Sequence, residues 1–245
     1  MNAMKADACI VIPCFNEAAR FKTGEFLNFV NEHADIDLCF VNDGSTDATP
    51  EKLEALRKEK PERIRVVTYP DNRGKAGAVR EGFLQMVALK EYSRLAFADA
   101  DLATPLSEMV RLIEIARQQE EVMIVMGSRL ERMGVTIRRK FYRHFTGRIF
   151  AGTISFLFRL KAYDTQCGAK VFHADIVPAV FEQPFLSHWL FDVEILLRLR
   201  NLRRDYDRIV REIPLNVWLE QGNSKIRFSH LLKMPYQLWR IFLHY

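Results

Sequence analysis

The first half of the chain repeats one pattern four times: an apolar run ends in a short polar segment that carries acid, amide or glycine. The apolar runs cover residues 9–12, 38–41, 64–67 and 95–98, and the polar segments that follow them are 13–17, 42–45, 71–75 and 99–101. An open parallel sheet binds its ligands at the carboxyl ends of its strands. We therefore expect these segments to meet at one edge of a sheet and to bind a large, anionic ligand such as a nucleotide with a metal.

Strand-like and helix-like stretches alternate up to about residue 130, a pattern typical of βαβ units and a mostly parallel sheet. Helices are expected from Ser45 or Thr49, from Gly74, and after Thr104, which resembles an N-cap before the first-turn Pro105. With 245 residues, 49% hydrophobic and 27% charged, the chain is long and apolar enough for one domain over residues 1–245. The predicted fold class is α/β, with a central sheet flanked by helices.

Composition and motif spacing argue against several classes of protein. The cysteines Cys9, Cys14, Cys39 and Cys167 form no CxxC pair, which argues against a zinc site and favours reduced thiols in the cytoplasm. The segment 73–75 does not match the P-loop pattern, so an ATPase is not expected. No stretch reaches the ~20 apolar residues that span a bilayer, and the N-terminus does not resemble a signal peptide.

The net charge of +5 is unevenly distributed. Residues 138–148 are rich in arginine and contain no acid, which points to a phosphate, an anionic membrane or nucleic acid. From Phe141 to Phe156 apolar residues recur at helical spacing, which predicts either an amphipathic helix in a membrane interface or a helix packed on the domain. The aromatic, basic tail at 228–245 is a second interfacial helix or a docking surface for a membrane partner protein. Aromatic RNA-binding motifs are missing from the sequence, so nucleic acid is not expected as a partner.

Asp99-Ala100-Asp101 is the segment with the clearest chemistry. Two carboxylates at a predicted strand end can hold a hard divalent cation, which would stabilise a diphosphate leaving group. Asp43 follows another apolar run and could accept hydrogen bonds from a base or ribose, or it could be a turn aspartate that caps the following helix. Asn16-Glu17, after Pro13, has a similar ambiguity.

A second polar cluster lies in the C-terminal half. Asp164-Thr165-Gln166-Cys167-Gly168 and Lys170 stand between apolar stretches, either as a functional segment or as an ordinary loop. Trp189 and Asp192 are three residues apart and therefore share a face if they are helical. Asp192 could be a general base or an orienting group near an acceptor, and a helix-start carboxylate that complements the helix dipole is the alternative.

In order and spacing, these segments resemble the inverting glycosyltransferases of family 2, which have the nucleotide-diphosphosugar transferase fold. The resemblance is carried by residues 10–17, 41–46, 72–82, 99–101 and 127–129. A narrower resemblance, to the dolichyl-phosphate β-glucosyltransferases and the related dolichyl-phosphate mannose synthases, is carried by residues 164–170, 189–194 and 222–225. It implies transfer of a hexose from a nucleotide sugar to a polyprenyl phosphate, with Mg²⁺ or Mn²⁺ as cofactor.

The resemblance also implies roles for individual residues. The half up to about residue 130 would bind the nucleotide sugar through Pro13, Asn16, Glu17, Asp43, Lys75, Asp99 and Ala100. Within that half, Asp99 and Asp101 would be the metal ligands. The half from about residue 131 would bind the acceptor, and the implied acceptor-phosphate set is Arg129, Arg139, Arg143, Gln166, Lys170, Trp189 and Lys225. Asp101, Asp192 and Arg129 are the implied catalytic residues.

Two departures from the family pattern refine the expected activity. Ala103 stands where some mannose synthases carry a glutamine metal ligand, which favours UDP-glucose over GDP-mannose as donor. The N-terminal membrane helix of the eukaryotic enzymes is not expected here. That favours a bacterial-type enzyme on the cytoplasmic face of the inner membrane, peripherally bound and acting on a lipid such as undecaprenyl phosphate.

Two further interpretations remain open. In the first, the acceptor is a soluble sugar or polysaccharide, and Asp192 is then essential because a hydroxyl acceptor needs deprotonation. In the second, the chain is a basic, non-catalytic protein that binds a membrane surface. The intact acidic segment at 99–101 argues against the second interpretation.

Overall fold

The computed structural model describes residues 6–138, 152–221 and 228–245. The strands are β1 (Ala8–Cys14), β2 (Ile36–Asp43), β3 (Ile64–Tyr69), β4 (Arg94–Ala98), β5 (Ile124–Ser128), β6 (Thr136–Arg138), β7 (Ala169–His173), β8 (Val210–Pro214) and β9 (Val217–Leu219). The helices are α1 (Thr23–Glu32), α2 (Thr49–Glu59), α3 (Gly74–Ala88), α4 (Leu106–Gln118), α5 (152–158), α6 (Val177–Phe181), α7 (Phe191–Leu202), α8 (Tyr206–Ile209) and α9 (Phe228–His244). The predicted alternation of strands and helices in the first half is confirmed.

Seven strands form one sheet in the order β3-β2-β1-β4-β7-β5-β8. β7 is antiparallel to both of its neighbours, and the other adjacent pairs are parallel. The direction of strand order reverses at β1, between β2 and β4, and a ligand crevice is expected at such a point. Because β7 is antiparallel, it begins at the edge where β4 and β5 end, with Ala169 opposite Ala98. The segment 164–168 therefore reaches the carboxyl edge of the sheet from the opposite direction.

The sheet is the middle of three layers. Along β1, Ile10 and Ile12 face a core formed with α1, α2 and α4, whereas Cys9 and Val11 face a core formed with α3, α6 and α7. This alternation follows from the two-residue period of a strand. Because both faces are covered, the whole strand can be apolar, which explains the unbroken run seen in the sequence.

Two helix starts differ in detail from the sequence prediction. The second of the two alternatives for α2 is correct, because the helix begins at Thr49 with Pro50 in its first turn. The prediction that Thr104 caps α4 is wrong: Pro105 occupies the N-cap position, with no side-chain hydrogen bond to the helix. A boundary shift of this size does not alter the buried face of α4.

A third cluster of buried side chains joins α5, α7 and α9 to Met126 of β5, with Ile154, Leu197 and Ile241 completely buried. α9 has the amphipathic character predicted for the tail. It leaves one aromatic and aliphatic face exposed. That face consists of Tyr236, Trp239, Phe242 and Leu243. Of the predicted segment 141–156, residues 141–151 lie outside the described part, and Phe156 on α5 is 88% exposed. Within the described ranges, no helix combines the length and the apolar character that a membrane span requires.

Candidate active site

The loops after β1 and β2 are joined by side-chain hydrogen bonds. The backbone N–H of Asn16 donates to Ser45 Oγ (3.1 Å), and Asn16 Oδ1 accepts from the backbone N–H of Thr46 (2.8 Å). Asn16 has a φ of +49°, and Leu102, just after β4, has a φ of +55°. Left-handed backbone is uncommon outside glycine and concentrates at functional sites. Both outliers lie at the strand ends where the sequence predicts a ligand.

Asp43 ends β2 and fixes the start of α3. Its Oδ1 accepts from the backbone N–H of Arg73 (2.7 Å), immediately before the helix begins at Gly74. Burial raises the pKa of the Asp43 carboxyl, while the Arg73 and Gly74 N–H groups and the Arg73 charge oppose that rise. The structure shows that Asp43 contacts the start of α3 and not the helix next in sequence. Its contact with a nucleoside stays a prediction.

Lys75, in the first turn of α3, and Asp99, directly after β4, form an ion pair at the carboxyl edge of the sheet. The crevice expected there is the region around this pair and Asp101. Lys75 Nζ lies 2.6 Å from Asp99 Oδ1, and their side chains are 30% and 39% exposed. Burial alone would lower the pKa of the Lys75 ammonium, but Asp99, Asp192 and Asp101 together raise it. A Cβ added to Gly168 would overlap Asp99 Oδ2, so the start of β7 supports this carboxylate by a contact that only glycine permits.

Asp101 lies beside Arg20, a residue of the loop after β1. Arg20 Nη1 is 3.6 Å from Asp101 Oδ2, and the Arg20 guanidinium makes a two-pronged contact with Glu17, including an Nη2–Oε1 hydrogen bond of 2.8 Å. Asp101 Oδ1 accepts from the backbone N–H of Ala103 (3.0 Å). Burial and the Asp99 carboxylate raise the pKa of the Asp101 carboxyl. The two carboxylates of the acidic segment therefore repel each other and are each compensated by a cation.

The donor set fits a magnesium-type cation held jointly with a ligand. Within residues 6–138, 152–221 and 228–245, no three His, Cys, Asp or Glu side chains are grouped to enclose a metal. Mg²⁺ is usually bound by one or two carboxylates together with substrate phosphates, not by an all-protein cage. Asp99 and Asp101 supply the former, and the N-terminus of α3 with Lys75 offers a site for the latter.

Arg129 follows β5 and is held by Asp164. The guanidinium makes two hydrogen bonds to that carboxylate, Nε–Oδ2 at 2.7 Å and Nη2–Oδ1 at 2.8 Å, and it stacks over the Trp218 ring at 5.5 Å. Glu212 in turn accepts from the backbone N–H groups of Tyr163 and Asp164, both at 2.7 Å. Arg129 is 23% exposed, so it can still present charge to the crevice while Asp164 fixes its orientation.

Lys170 and Asp192 form a buried ion pair behind the crevice. Lys170 Nζ lies 2.6 Å from Asp192 Oδ1, and its other hydrogen bonds go to the carbonyl oxygens of Thr165 (2.9 Å) and Cys167 (2.7 Å). The three donors of the ammonium are therefore satisfied within the protein. Burial raises the pKa of the Asp192 carboxyl, with Lys170 and Lys75 opposing the rise. The structure thus places Lys170 as a support for the segment 165–167, which differs from the acceptor contact implied by the resemblance.

The remaining predicted acceptor residues fall into two groups. Trp189 is half-buried on the segment before α7, and its backbone N–H donates to Ser187 Oγ (3.2 Å). Gln166 Nε2 and Thr165 Oγ1 are buried polar atoms without a hydrogen-bond partner, so they could satisfy ligand hydroxyls. The other three residues, Arg139, Arg143 and Lys225, lie outside the described residues.

Pro13 and Ala100 complete the predicted nucleotide-sugar set. Pro13 pairs with Val41 in the register of β1 and β2, and Ala100 is buried between Asp99 and Asp101. The structure thus brings the whole predicted set to one edge of the sheet.

Residues 9–181 match the family described as Glycosyl transferase family 2. The chain belongs to glycosyl transferase family 2. This match covers well over half of the sequence, including β1 to β5 and the segment 164–170.

This family 2 glycosyltransferase is similar in sequence to dolichyl-phosphate beta-glucosyltransferases over nearly its whole length. It is 31% identical over 240 residues to the dolichyl-phosphate beta-glucosyltransferase of Saccharomyces cerevisiae, covering 90% of this chain and 69% of that protein. It is also 31% identical to the mouse (Mus musculus) dolichyl-phosphate beta-glucosyltransferase, covering 96% of this chain and 75% of that protein. The resemblance stated from the sequence is confirmed.

Solved structures confirm the fold. The Mycobacterium tuberculosis glucosyl-3-phosphoglycerate synthase matches with a TM-score of 0.68 at 19% identity, covering 99% of this chain and 81% of that chain. A complex of the same protein with Mn²⁺ and UDP-glucose matches with a TM-score of 0.68 at 20% identity, covering 99% and 79%. At 19–20% identity, this likeness shows that the two proteins share a fold, and it shows nothing beyond the fold.

Sequence reasoning missed Arg20 and Glu212, and it did not predict the contacts that Asp164 and Gly168 make in this glycosyltransferase. Arg20 stands three residues after Glu17, and only the fold brings it to Asp101. Glu212 and Asp164 are far apart in sequence and meet because β8 pairs with β5. The close approach of Gly168 to Asp99 had a sequence signal, a glycine inside a polar segment, but not a predicted partner.

Proposed function

We propose that this glycosyltransferase transfers glucose from UDP-glucose to the phosphate of a polyprenyl lipid, with inversion at the anomeric carbon. The observation that carries the proposal is the likeness to dolichyl-phosphate beta-glucosyltransferases, which extends over 90–96% of this chain. The arrangement of charge at the carboxyl edge of the sheet supports it. The half up to about residue 130 would bind the donor, and the half from about 131 would bind the acceptor.

The residues at the front of the crevice are assigned to the donor. Asp99 and Asp101 would hold Mg²⁺ or Mn²⁺, and that ion, when bound, would neutralise the charge of the departing diphosphate. Lys75 lies in the first turn of α3, where helix N–H groups favour phosphate. Pro13, Asn16 and Glu17 border the nucleoside side of the same crevice.

The acceptor supplies its own nucleophile. A phosphate monoester has a second pKa near ~6, so its oxygen is largely ionised at neutral pH. That oxygen forms a bond to the anomeric carbon as the bond from this carbon to the UDP oxygen breaks. Arg129, oriented by Asp164, is placed to attract the phosphate. Thr165 Oγ1 and Gln166 Nε2, which are buried without a hydrogen-bond partner, could form hydrogen bonds with sugar hydroxyls. Positioning and electrostatics would then account for most of the rate.

Asp192 acts in this proposal as a positioning residue. It is buried and bonded to Lys170, which in turn holds the carbonyl groups of the segment 165–167. A general base must reach the proton that it removes, and a phosphate acceptor at neutral pH requires no such removal. This arrangement favours a phosphate acceptor over a sugar hydroxyl.

The exposed face of α9 would bring the enzyme to a membrane surface. Tyr236, Trp239, Phe242 and Leu243 are 50–64% exposed on one helix, and residues 228–245 contain no acidic side chain. Aromatic residues with basic neighbours are typical of helices that lie in a lipid interface. A peripheral location on the cytoplasmic face of the inner membrane would give access to the lipid phosphate.

A radiolabel transfer assay tests the proposal. Purified protein receives Mn²⁺ or Mg²⁺, detergent-dispersed undecaprenyl or dolichyl phosphate, and labelled UDP-glucose or GDP-mannose in parallel reactions. We expect label in the organic phase from UDP-glucose. Label from GDP-mannose alone would replace glucose by mannose, and transfer only to added soluble glycans would overturn the lipid acceptor.

A further inference from the structure

Arg20 lies between the carboxylates of Glu17, in the loop after β1, and Asp101, in the acidic segment. Its guanidinium makes two contacts with Glu17, which is 6% exposed, and its Nη1 stands 3.6 Å from Asp101 Oδ2. Hydrogen bonding to Glu17 raises the pKa of Arg20 against the opposing effect of burial. The distance to Asp101 exceeds that of a hydrogen bond. Arg20 is therefore held by Glu17 and compensates Asp101 through charge.

When no ligand is bound, each of the two carboxylates of the acidic segment faces a cation, and Glu17 adds a third carboxylate that pairs with Arg20. Lys75 compensates Asp99 and Arg20 compensates Asp101. A divalent cation that binds the two carboxylates alone is repelled by both compensating side chains. The diphosphate of a nucleotide sugar is a dianion, so a cation that arrives with it adds no net charge. Lys75 and Arg20 can then transfer their interaction from the carboxylates to the diphosphate.

We propose that Arg20 couples metal binding to nucleotide binding: it weakens the affinity of Asp99 and Asp101 for a free divalent cation and strengthens binding of the nucleotide diphosphate once the cation is present. The inference rests on the proposed function, because it takes the acidic segment as the metal site. Coupling of this kind is reciprocal, so each ligand raises the affinity for the other. Glu17 holds the Arg20 guanidinium in position, because its two-pronged contact determines where the Arg20 charge lies.

Electron paramagnetic resonance of Mn²⁺, which measures the free ion, tests this without an activity assay. Wild type, Arg20→Gln and Lys22→Gln are titrated with Mn²⁺ with and without UDP, and UDP affinity is measured by calorimetry with and without Mn²⁺. Lys22→Gln is the matched control, because it removes one positive charge from the same loop, and Lys22 pairs with Glu25 on α1 at 3.1 Å and not with the acidic segment. We expect Arg20→Gln to bind Mn²⁺ alone about fivefold more tightly, the size expected for one charge removed at this distance from a hydrated site.

The same variant should bind UDP in the presence of Mn²⁺ about tenfold more weakly. The mutual enhancement of Mn²⁺ and UDP should therefore shrink, whereas Lys22→Gln should match wild type. Arg20→Lys keeps the charge without the two-pronged contact, so its mutual enhancement should lie between those of wild type and Arg20→Gln. This variant also provides the test if Arg20→Gln does not fold.

Two results separate this inference from the proposed function. Wild-type protein that binds no Mn²⁺ even with UDP would remove the metal site on which both depend. Wild-type protein that binds both ligands cooperatively, with Arg20→Gln and Arg20→Lys unchanged, would overturn the role of Arg20 and leave the proposed function standing.

Discussion

The ion pairs at the front of the crevice differ in burial from those behind it. In front, Asp99 and Lys75 are 39% and 30% exposed. Behind, Asp192 and Lys170 are 4% and 0% exposed. Pairs of the same composition therefore lie in two different environments within one site.

The difference indicates two different tasks. A partly exposed pair has a small net energy and can exchange its partners when a charged ligand arrives. A buried pair whose remaining donors are satisfied is strongly destabilised if one partner is lost, because the other charge stays buried. The front of the crevice can therefore rearrange around a ligand, while the back fixes the geometry of the segments that carry it.

Asp101→Ala, at the front, should have the largest effect on transfer. The substitution removes one of the two carboxylates of the acidic segment, and loss of one such electrostatic group costs on the order of 10²–10³ in rate. We expect transfer to fall by about 10³-fold, measured by radiolabel assay, with an unchanged circular dichroism spectrum. A fully active Asp101→Ala protein would contradict the assignment of the segment as metal site.

Lys170→Met, at the back, should have the largest effect on stability. It leaves Asp192 buried without its partner, which typically costs about 3–5 kcal/mol of unfolding free energy. Urea unfolding measures the loss, and replacing both residues, as Lys170→Met with Asp192→Leu, should restore part of it. Lys161→Met is the matched control, because Lys161 is 79% exposed and pairs with Asp207 on the surface. Equal stability of Lys170→Met and the control would show that burial does not distinguish the two pairs.

Gly168→Ala joins the two regions, because the added Cβ would displace Asp99 from the start of β7. A displacement of about 1 Å at a catalytic group can cost ~10²-fold in rate. We expect transfer to fall by about that factor while the protein stays folded. Gly152→Ala is the control, since nothing lies within 4 Å of the Cβ that it adds. Similar kinetics in the two variants would mean that the Gly168 contact is not needed to hold Asp99.

Glu212 should give the smallest effect, visible as a pH dependence of stability. Burial raises the pKa of its carboxyl to about 7, with the Asp164 N–H opposing the rise and the Asp164 carboxylate adding to it. An unfolded glutamate has a pKa of ~4.3, so the folded state binds this proton more tightly. The stabilising contribution is complete below the unfolded pKa and is lost as the pH rises through about 7.

The measurement compares wild type with Glu212→Gln, which does not titrate. Between about pH 5 and about pH 8, wild type should lose roughly 2 kcal/mol of unfolding free energy relative to the variant. A difference that is independent of pH would show that Glu212 ionises normally in the folded protein.

Much of the fold and part of the site were accessible from sequence. The four apolar runs of the first half predicted buried strands, and β1 to β4 are found there, because strands covered on both faces have no need of polar positions. The acidic segment at 99–101 was predicted at a strand end and lies directly after β4. Thr104 was wrongly predicted as a cap, since propensity alone does not place a helix boundary within one residue.

The partners of the predicted residues were not accessible in the same way. The capping alternative for Asp43 concerns the helix next in sequence, yet its carboxylate accepts from the N–H of Arg73 at the start of α3, thirty positions later. Lys170 was implied at the acceptor phosphate and is instead buried with Asp192. Both outcomes depend on which strands are neighbours, and local sequence patterns carry no information about strand order.

The sequence alone determined the α/β class and the edge of the sheet that carries the polar segments, because hydrophobic periodicity and strand-end polarity are local properties. It also carried the resemblance that identifies the family. The tertiary structure decided which charges face each other. The antiparallel course of β7 brings Gly168 to Asp99, and the loop after β1 brings Arg20 to Asp101. The physical reason is that Coulomb and contact energies depend on distances in space, which the chain sets only when its sheet is assembled.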